Sequence, residues 1–158
     1  MDDYSVKLRE KQDDSGAPQL FSLTARLPEK DNTDTILAVS KRSWVVINTY
    51  AEGDENSIHA HPNDKHTFVV LHGCAEFIGP NDERRSAEMY DGVIMPAGTY
   101  YRFESVGEEP LVMLRMGFVI DSEQDPLGRI NADDLDFDAY TPANKSDTLV
   151  LSETAIFP

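Results

Sequence analysis

Between residues 19 and 120 the chain is a succession of short apolar runs: "LFSLTA", "ILAVS", "SWVVINTYA", "HTFVVLHG", "CAEFIG", "GVIMPAG", "YYRFES" and "PLVMLRMGFVI". Each is strand length and rich in Val, Ile, Phe, Tyr and Thr. Each is cut off by a cluster of turn formers such as "AEGDEN", "HPND", "GPNDE" or "SVGEEP". No window there sustains a helical period, and many short strands split by turns predict an all-β sandwich or barrel. The 158 residues suffice for one domain with a hydrophobic core and are too few for two.

Outside this core the pattern changes. Residues 1–16, beginning "MDDYSVKLREKQDD", are charged and lack periodicity, as a flexible tail would. The barrel is expected over residues 17–120. Residues 121–158 form an acidic, irregular extension that ends in an apolar piece, "TLVLSETAIFP", expected to pack on the barrel or to cover an edge of a partner subunit. A homodimer is expected on the same ground.

Lys and Arg number 14 against 29 Asp and Glu, a formal charge of -15, which repels phosphate backbones and anionic lipid. Nucleic acid and membrane are therefore excluded as expected partners, and a small-molecule substrate is favoured. The N-terminus lacks the apolar core of a signal peptide, and no run approaches the roughly 20 apolar residues of a membrane span. A cytoplasmic location is expected. Cys74 is the one cysteine, so no intrachain disulfide can form, and between two apolar runs it reads as a small buried hydrophobe.

All four histidines fall within "GDENSIHAHPNDKHTFVVLHG", residues 53–73. In an extended strand His59 and His61 point to one side roughly 6 to 7 Å apart, which suits two ligands of one metal ion. His66 follows "PNDK", a tetrapeptide able to reverse the chain and bring the next strand alongside. His66, Phe68, Val70 and His72 share a face, and His72, roughly 20 Å further along, is out of reach of the same ion. The expected metal ligands are His59, His61 and His66.

These residues resemble the first motif of the cupin superfamily, G-x5-H-x-H-x3-4-E-x6-G, with Gly53, His59, His61 and Gly73 in register and His66 in the glutamate place. "YDGVIMPAGTYYRFES" is similar to the second motif, G-x5-P-x-G-x2-H-x3-N. Pro96 and Gly98 fit it, while Tyr90, Tyr101 and Ser105 stand at the first Gly, the His and the Asn. The resemblance spans residues 44–118. It implies a double-stranded β-helix, the jelly roll, with a metal held inside near one mouth.

Three neutral imidazoles leave a divalent ion its full charge. Such a set suits Fe(II), with Zn, Ni, Mn or Cu as alternatives. Tyr101 alternates with Phe103, so both should face the interior while Tyr100 and Arg102 face away. Three roles stay open for Tyr101: a phenolate ligand, a catalytic donor or proton shuttle, and a buried tyrosine with a satisfied hydroxyl. Arg115 interrupts "LVMLRMGF"; outward exposure is expected, and the inward alternative would hold a substrate carboxylate. Trp44, Phe68, Phe77, Met95 and Phe103 read as barrel filling, and Phe68 and Phe103 also as walls for an apolar ligand.

The leading functional expectation is a non-haem iron dioxygenase acting on a small chelating substrate. The alternatives are a metal-dependent lyase, isomerase or cyclase in which Tyr101 moves the proton, and a non-catalytic metal-binding sensor. A barrel mouth blocked by side chains would favour the last.

Overall fold

The computed structural model describes residues 3–51, 57–136 and 149–158. Among these residues one helix, α1 (Asp3–Glu10), precedes ten strands. These are β1 (Ala25–Lys30), β2 (Asn32–Val39), β3 (Ser43–Tyr50), β4 (Asp64–His72), β5 (Cys74–Ile78), β6 (Arg84–Ala87), β7 (Gly92–Met95), β8 (Arg102–Val106), β9 (Leu111–Val119) and β10 (Val150–Phe157). Five strands form one sheet in the order β2-β3-β9-β4-β7, three form a second, β6-β5-β8, and β1 pairs with β10 in a separate ribbon. The expected all-β jelly roll is what the chain folds into.

Alternation decides the layers. Along β4, Asp64, His66, Phe68 and Val70 are buried and Lys65 is exposed, so the even-numbered side chains enter the barrel. From the other sheet Ala75, Phe77 and Phe103 meet them, with Tyr50, Tyr101, Leu111 and Met113 completing the main core. Each large apolar side chain buried there contributes roughly 1.5 to 3 kcal/mol. Gly73, between β4 and β5, has φ 75° and lies against the backbone of Pro110, so the turn admits no side chain. Tyr90, in the place of the second motif's first glycine, has φ 76°; the position requires a left-handed backbone, which tyrosine adopts at a cost.

Three expectations are corrected. Residues 3–10 are a helix and not a flexible tail. Tyr4 and Leu8, one turn apart, pack with Val39, Trp44, Val46, Val119 and Leu127. Ser5 Oγ bonds Asp125, and Arg9 Nη2 donates to the Gln124 carbonyl at 2.9 Å. The run "LFSLTA" is not a strand: pairing begins only at Ala25, and Leu20 is 98% exposed. Cys74 is half-buried.

The terminal apolar piece closes on its own chain. β10 pairs with β1 in antiparallel register, and Ala25 and Phe157 cover Ile47 and Val112 on the outer face of the large sheet. The apolar C-terminal segment is therefore paired within its own chain and needs no partner subunit to cover it.

Candidate active site

Residues 57–61 leave the large sheet and run beside the small one. His59 exchanges both backbone hydrogen bonds with Tyr101 at 3.0 Å, and the His61 carbonyl accepts from Gly98 at 2.9 Å. The chain then turns at Pro62 and Asn63 and enters β4 at Asp64. This crossing brings His59, His61, His66 and Tyr101 together, all buried. Ring centroids lie 5.0 Å apart for His59 and His61, 4.2 Å for His61 and His66, and 4.9 Å for His59 and Tyr101. The sequence pattern thus brings its three chosen histidines into one cluster. His72 lies outside it, with Nδ1 2.9 Å from the Pro110 carbonyl.

Arg115 overturns its expected orientation. It lies on β9 between Val46 and Phe68, points inward, and is only 6% exposed. Nη2 stands 3.1 Å from His66 Nδ1 and 3.4 Å from His61 Nε2, and the guanidinium lies over the rings of Trp44 (5.1 Å) and Phe68 (5.6 Å). The stacking explains why a charge can enter the core: Phe68 directly opposite it and Trp44, one inward position from Val46 on β3, each offer an aromatic ring.

A guanidinium only donates, so both imidazole nitrogens facing it must present lone pairs. His61 then carries its proton on Nδ1, and His66 on Nε2. His66 Nε2 faces the Asp64 carboxylate at 3.3 Å, while Nδ1 also faces the Tyr101 hydroxyl at 3.3 Å. Trp44 Nε1 donates to the same Asp64 oxygen at 2.8 Å. Trp44 reaches this place because Gly117, opposite it on β9, has no side chain; a Cβ there would overlap the indole. His59 Nδ1 is 2.6 Å from the Ser57 carbonyl, which fixes the proton there.

Burial pushes the His59 imidazole down to about 3, helped by Arg129, and pushes His61 and His66 well below the usual histidine value. All three are neutral bases at pH 7. Burial raises Asp64 to about 7 against the opposing Trp44 hydrogen bond, and it raises the Tyr101 phenol, which stays protonated. Among the described residues, the buried donors of this cluster that lack a hydrogen-bond partner include Arg115 Nε, the Nδ1–H of His61 and the Nε2–H of His66, whose 3.3 Å contact with Asp64 is an ion-pair distance without hydrogen-bond geometry. The first two suit an acceptor oxygen brought by a ligand.

Sequence reasoning missed Asp64 and Arg129. Asp64 precedes His66 by two positions and so shares its face, but Pro62 and Asn63 made it read as part of the turn. Arg129 stands in an acidic irregular stretch without periodicity, and it is brought in by the bridge between Ala60 and Ile130. Phe68 lies 6.0 Å, ring to ring, from both His66 and Tyr101, whereas the ring partners of Phe103 are Tyr50, Phe68 and Phe77, deeper in the core. Gly53 of the first motif lies outside the described residues.

Fold and site together define a double-stranded β-helix with a polar cluster buried inside it. Residues 46–117 match the family model described as "Cupin domain", and the barrel that they build has the cupin fold. No curated protein sequence matches the chain. Among solved structures, a protein with a double-stranded β-helix domain from Klebsiella pneumoniae is similar at TM-score 0.63 and 20% identity, covering 76% of this chain and 96% of that one. A cupin superfamily protein from Desulfitobacterium hafniense is similar at TM-score 0.54 and 21% identity, covering 70% and 96%. KdgF from Halomonas sp. is similar at TM-score 0.56 and 16% identity, covering 68% and 100%. At these identities the likeness is one of fold. No helix among the described residues is long and apolar enough to cross a membrane.

The metal that such a barrel implies can be tested against the donors present. Among the described residues no three His, Cys, Asp or Glu side chains are arranged to hold an ion. The lone pairs of His61 and His66 are turned to the Arg115 guanidinium instead. The donor set as packed does not fit a metal.

Proposed function

We propose that this cupin-fold barrel is a proton-transferring enzyme, an isomerase or lyase, acting on a small organic substrate that carries a carboxylate. The observation that supports it most is the placement of His66, with Asp64 3.3 Å from one ring nitrogen and the Tyr101 hydroxyl 3.3 Å from the other. In this reading Tyr101 meets the substrate. As its oxygen takes a proton from the substrate carbon, its own proton passes to His66 Nδ1, and Asp64 balances the imidazolium. Arg115 binds the substrate carboxylate by a bidentate pair. Drawn to that carboxylate, it releases the Nδ1 lone pair it faces in the free protein, so binding prepares the base. The iron dioxygenase expected from the sequence needs the three imidazoles turned to one ion, which this packing does not provide.

A second reading has one observation in its favour. His59, His61, His66, Tyr101 and Arg115 are all nearly inaccessible, which suits a non-catalytic binding barrel.

The test is hydrogen exchange in D2O on a panel of 2-oxo, 2-hydroxy and 3-hydroxy carboxylates, followed by NMR. Wild type should exchange a carbon-bound proton of at least one member, Tyr101→Phe should be slower by on the order of 10²-fold, and Arg115→Met should lose binding. Binding without exchange, unaltered in Tyr101→Phe, would establish the binding barrel. No carboxylate bound at all would overturn both.

We also infer a homodimer through the outer face of the large sheet. Val45, Met116, Thr67 and Ile94 form a row across four strands on the outer face of the large sheet, next to Phe118; Ile94 is 69% and Phe118 53% exposed.

A further inference from the structure

We propose that Arg115 is an internal cation standing where a metal ion would have to sit between His61 and His66, so that this barrel works without a resident metal and hides a latent metal site behind one side chain. Three observations carry this. The lone pairs that would ligate the ion, on His61 Nε2 and His66 Nδ1, are the two that Arg115 Nη2 engages, at 3.4 and 3.1 Å. A metal needs such nitrogens at about 2.0 to 2.2 Å. Ion and guanidinium therefore compete for the same electron pairs, and a divalent ion there would lie beside a buried positive charge, which low-dielectric surroundings penalise heavily.

In the free protein the guanidinium is also kept inside the barrel. Trp44 and Phe68 stack on it, and pairing of β9 with β3 and β4 on either side fixes the inward direction of residue 115. The guanidinium is a cation that only donates, so it presents N–H groups and no lone pair to the two imidazoles. The third imidazole is already set for a ligand: with Nδ1 tied to the Ser57 carbonyl, His59 keeps Nε2 free as an acceptor, the anchoring common to metal-binding histidines. Removing the guanidinium would free the lone pairs of His61 Nε2 and His66 Nδ1 next to the neutral His59 ring, whose centroid lies 5.0 Å from that of His61.

The probe is Co(II) alone, titrated into the full chain and read by its visible ligand-field bands, with metal content measured after dialysis. Wild type should take up well under one equivalent and show no such bands. Arg115→Met, which keeps much of the side-chain length without the charge, should bind one equivalent at least 10²-fold more tightly. Arg115→Ala does the same if the methionine fills the space, and adding His61→Ala should abolish the gain. One equivalent bound by wild type would overturn the proposal. So would absence of any gain in both Arg115 variants with wild-type circular dichroism. Should neither variant fold, the wild-type titration decides alone, since no uptake agrees with an occupied site and full uptake does not. Deuterium exchange fails or succeeds on Tyr101 whatever the metal result, so failure here and failure of the proton-transfer reading are distinguishable.

Discussion

Trp44 Nε1 donates a 2.8 Å hydrogen bond to Asp64 Oδ2, the same oxygen that faces His66 Nε2 at 3.3 Å. The indole thus holds the carboxylate that stands beside the imidazole. Burial outweighs this bond and sets the Asp64 pKa at about 7, against 3.8 for a free carboxyl. A carboxyl raised in the folded state binds more protons there than in the unfolded chain. Its contribution is most favourable below pH 4 and is lost as pH rises to 7, by on the order of 3 to 4 kcal/mol at about 1.4 kcal/mol per unit. Asp64→Asn should therefore gain stability relative to wild type as pH rises from 4 to 8 in urea melts. A difference between the two that does not vary with pH would place the Asp64 pKa in the ordinary range. His59 acts in the opposite sense. Its lowered pKa of about 3 favours the folded chain above pH 6.5 and is lost as pH falls toward 3, so His59→Gln should flatten the acid limb of the same curve.

Gly117→Ala should cost about 3 kcal/mol or more, because its Cβ meets the Trp44 indole and not the end of a flexible chain. Thermal unfolding reads the loss. Trp44 fluorescence should shift as well, since the ring has to leave its place between Asp64 and Arg115.

Leu8→Ala tests the N-terminal helix. A fully buried leucine lost from a packed cluster costs about 2 to 5 kcal/mol, whereas the same change in a mobile tail costs nothing measurable. Chemical denaturation of the two proteins separates these outcomes.

Ile94→Glu should shift a dimer to monomer in analytical ultracentrifugation without changing circular dichroism, as it puts a charge into the exposed apolar row. Deleting β10 should instead unfold the chain in part, because that strand covers Ile47 and Val112 of its own sheet.

The barrel was legible in the sequence because seven of the eight apolar runs carry the length, alternation and flanking turn residues of the strands they form, and the histidine cluster because an H-x-H on one extended segment and a third histidine past a turn converge by geometry alone. The inward face of Tyr101 followed from its alternation with Phe103. Arg115 was misjudged because the usual preference for charge at the surface takes no account of the Trp44 and Phe68 rings, which only the sheet register brings beside it. The helix α1 has one apolar pair, Tyr4 and Leu8, too few for a visible period, and β6 (Arg84–Ala87) has no apolar run at all. Asp64 was hidden by its place at the end of a turn, where sequence cannot say which residue first enters the strand.

The central claim is that Asp64 and Arg115 hold His66 as one neutral tautomer, with Nδ1 bare toward Tyr101. Long-range proton–nitrogen correlation NMR on the 15N-labelled protein at pH 7 measures this directly. His66 should show a protonated Nε2 and an Nδ1 with the shift of an unprotonated ring nitrogen. In Arg115→Met the Nδ1 signal should change. A proton found on Nδ1, or a doubly protonated ring, would contradict the arrangement from which the proposed chemistry is derived.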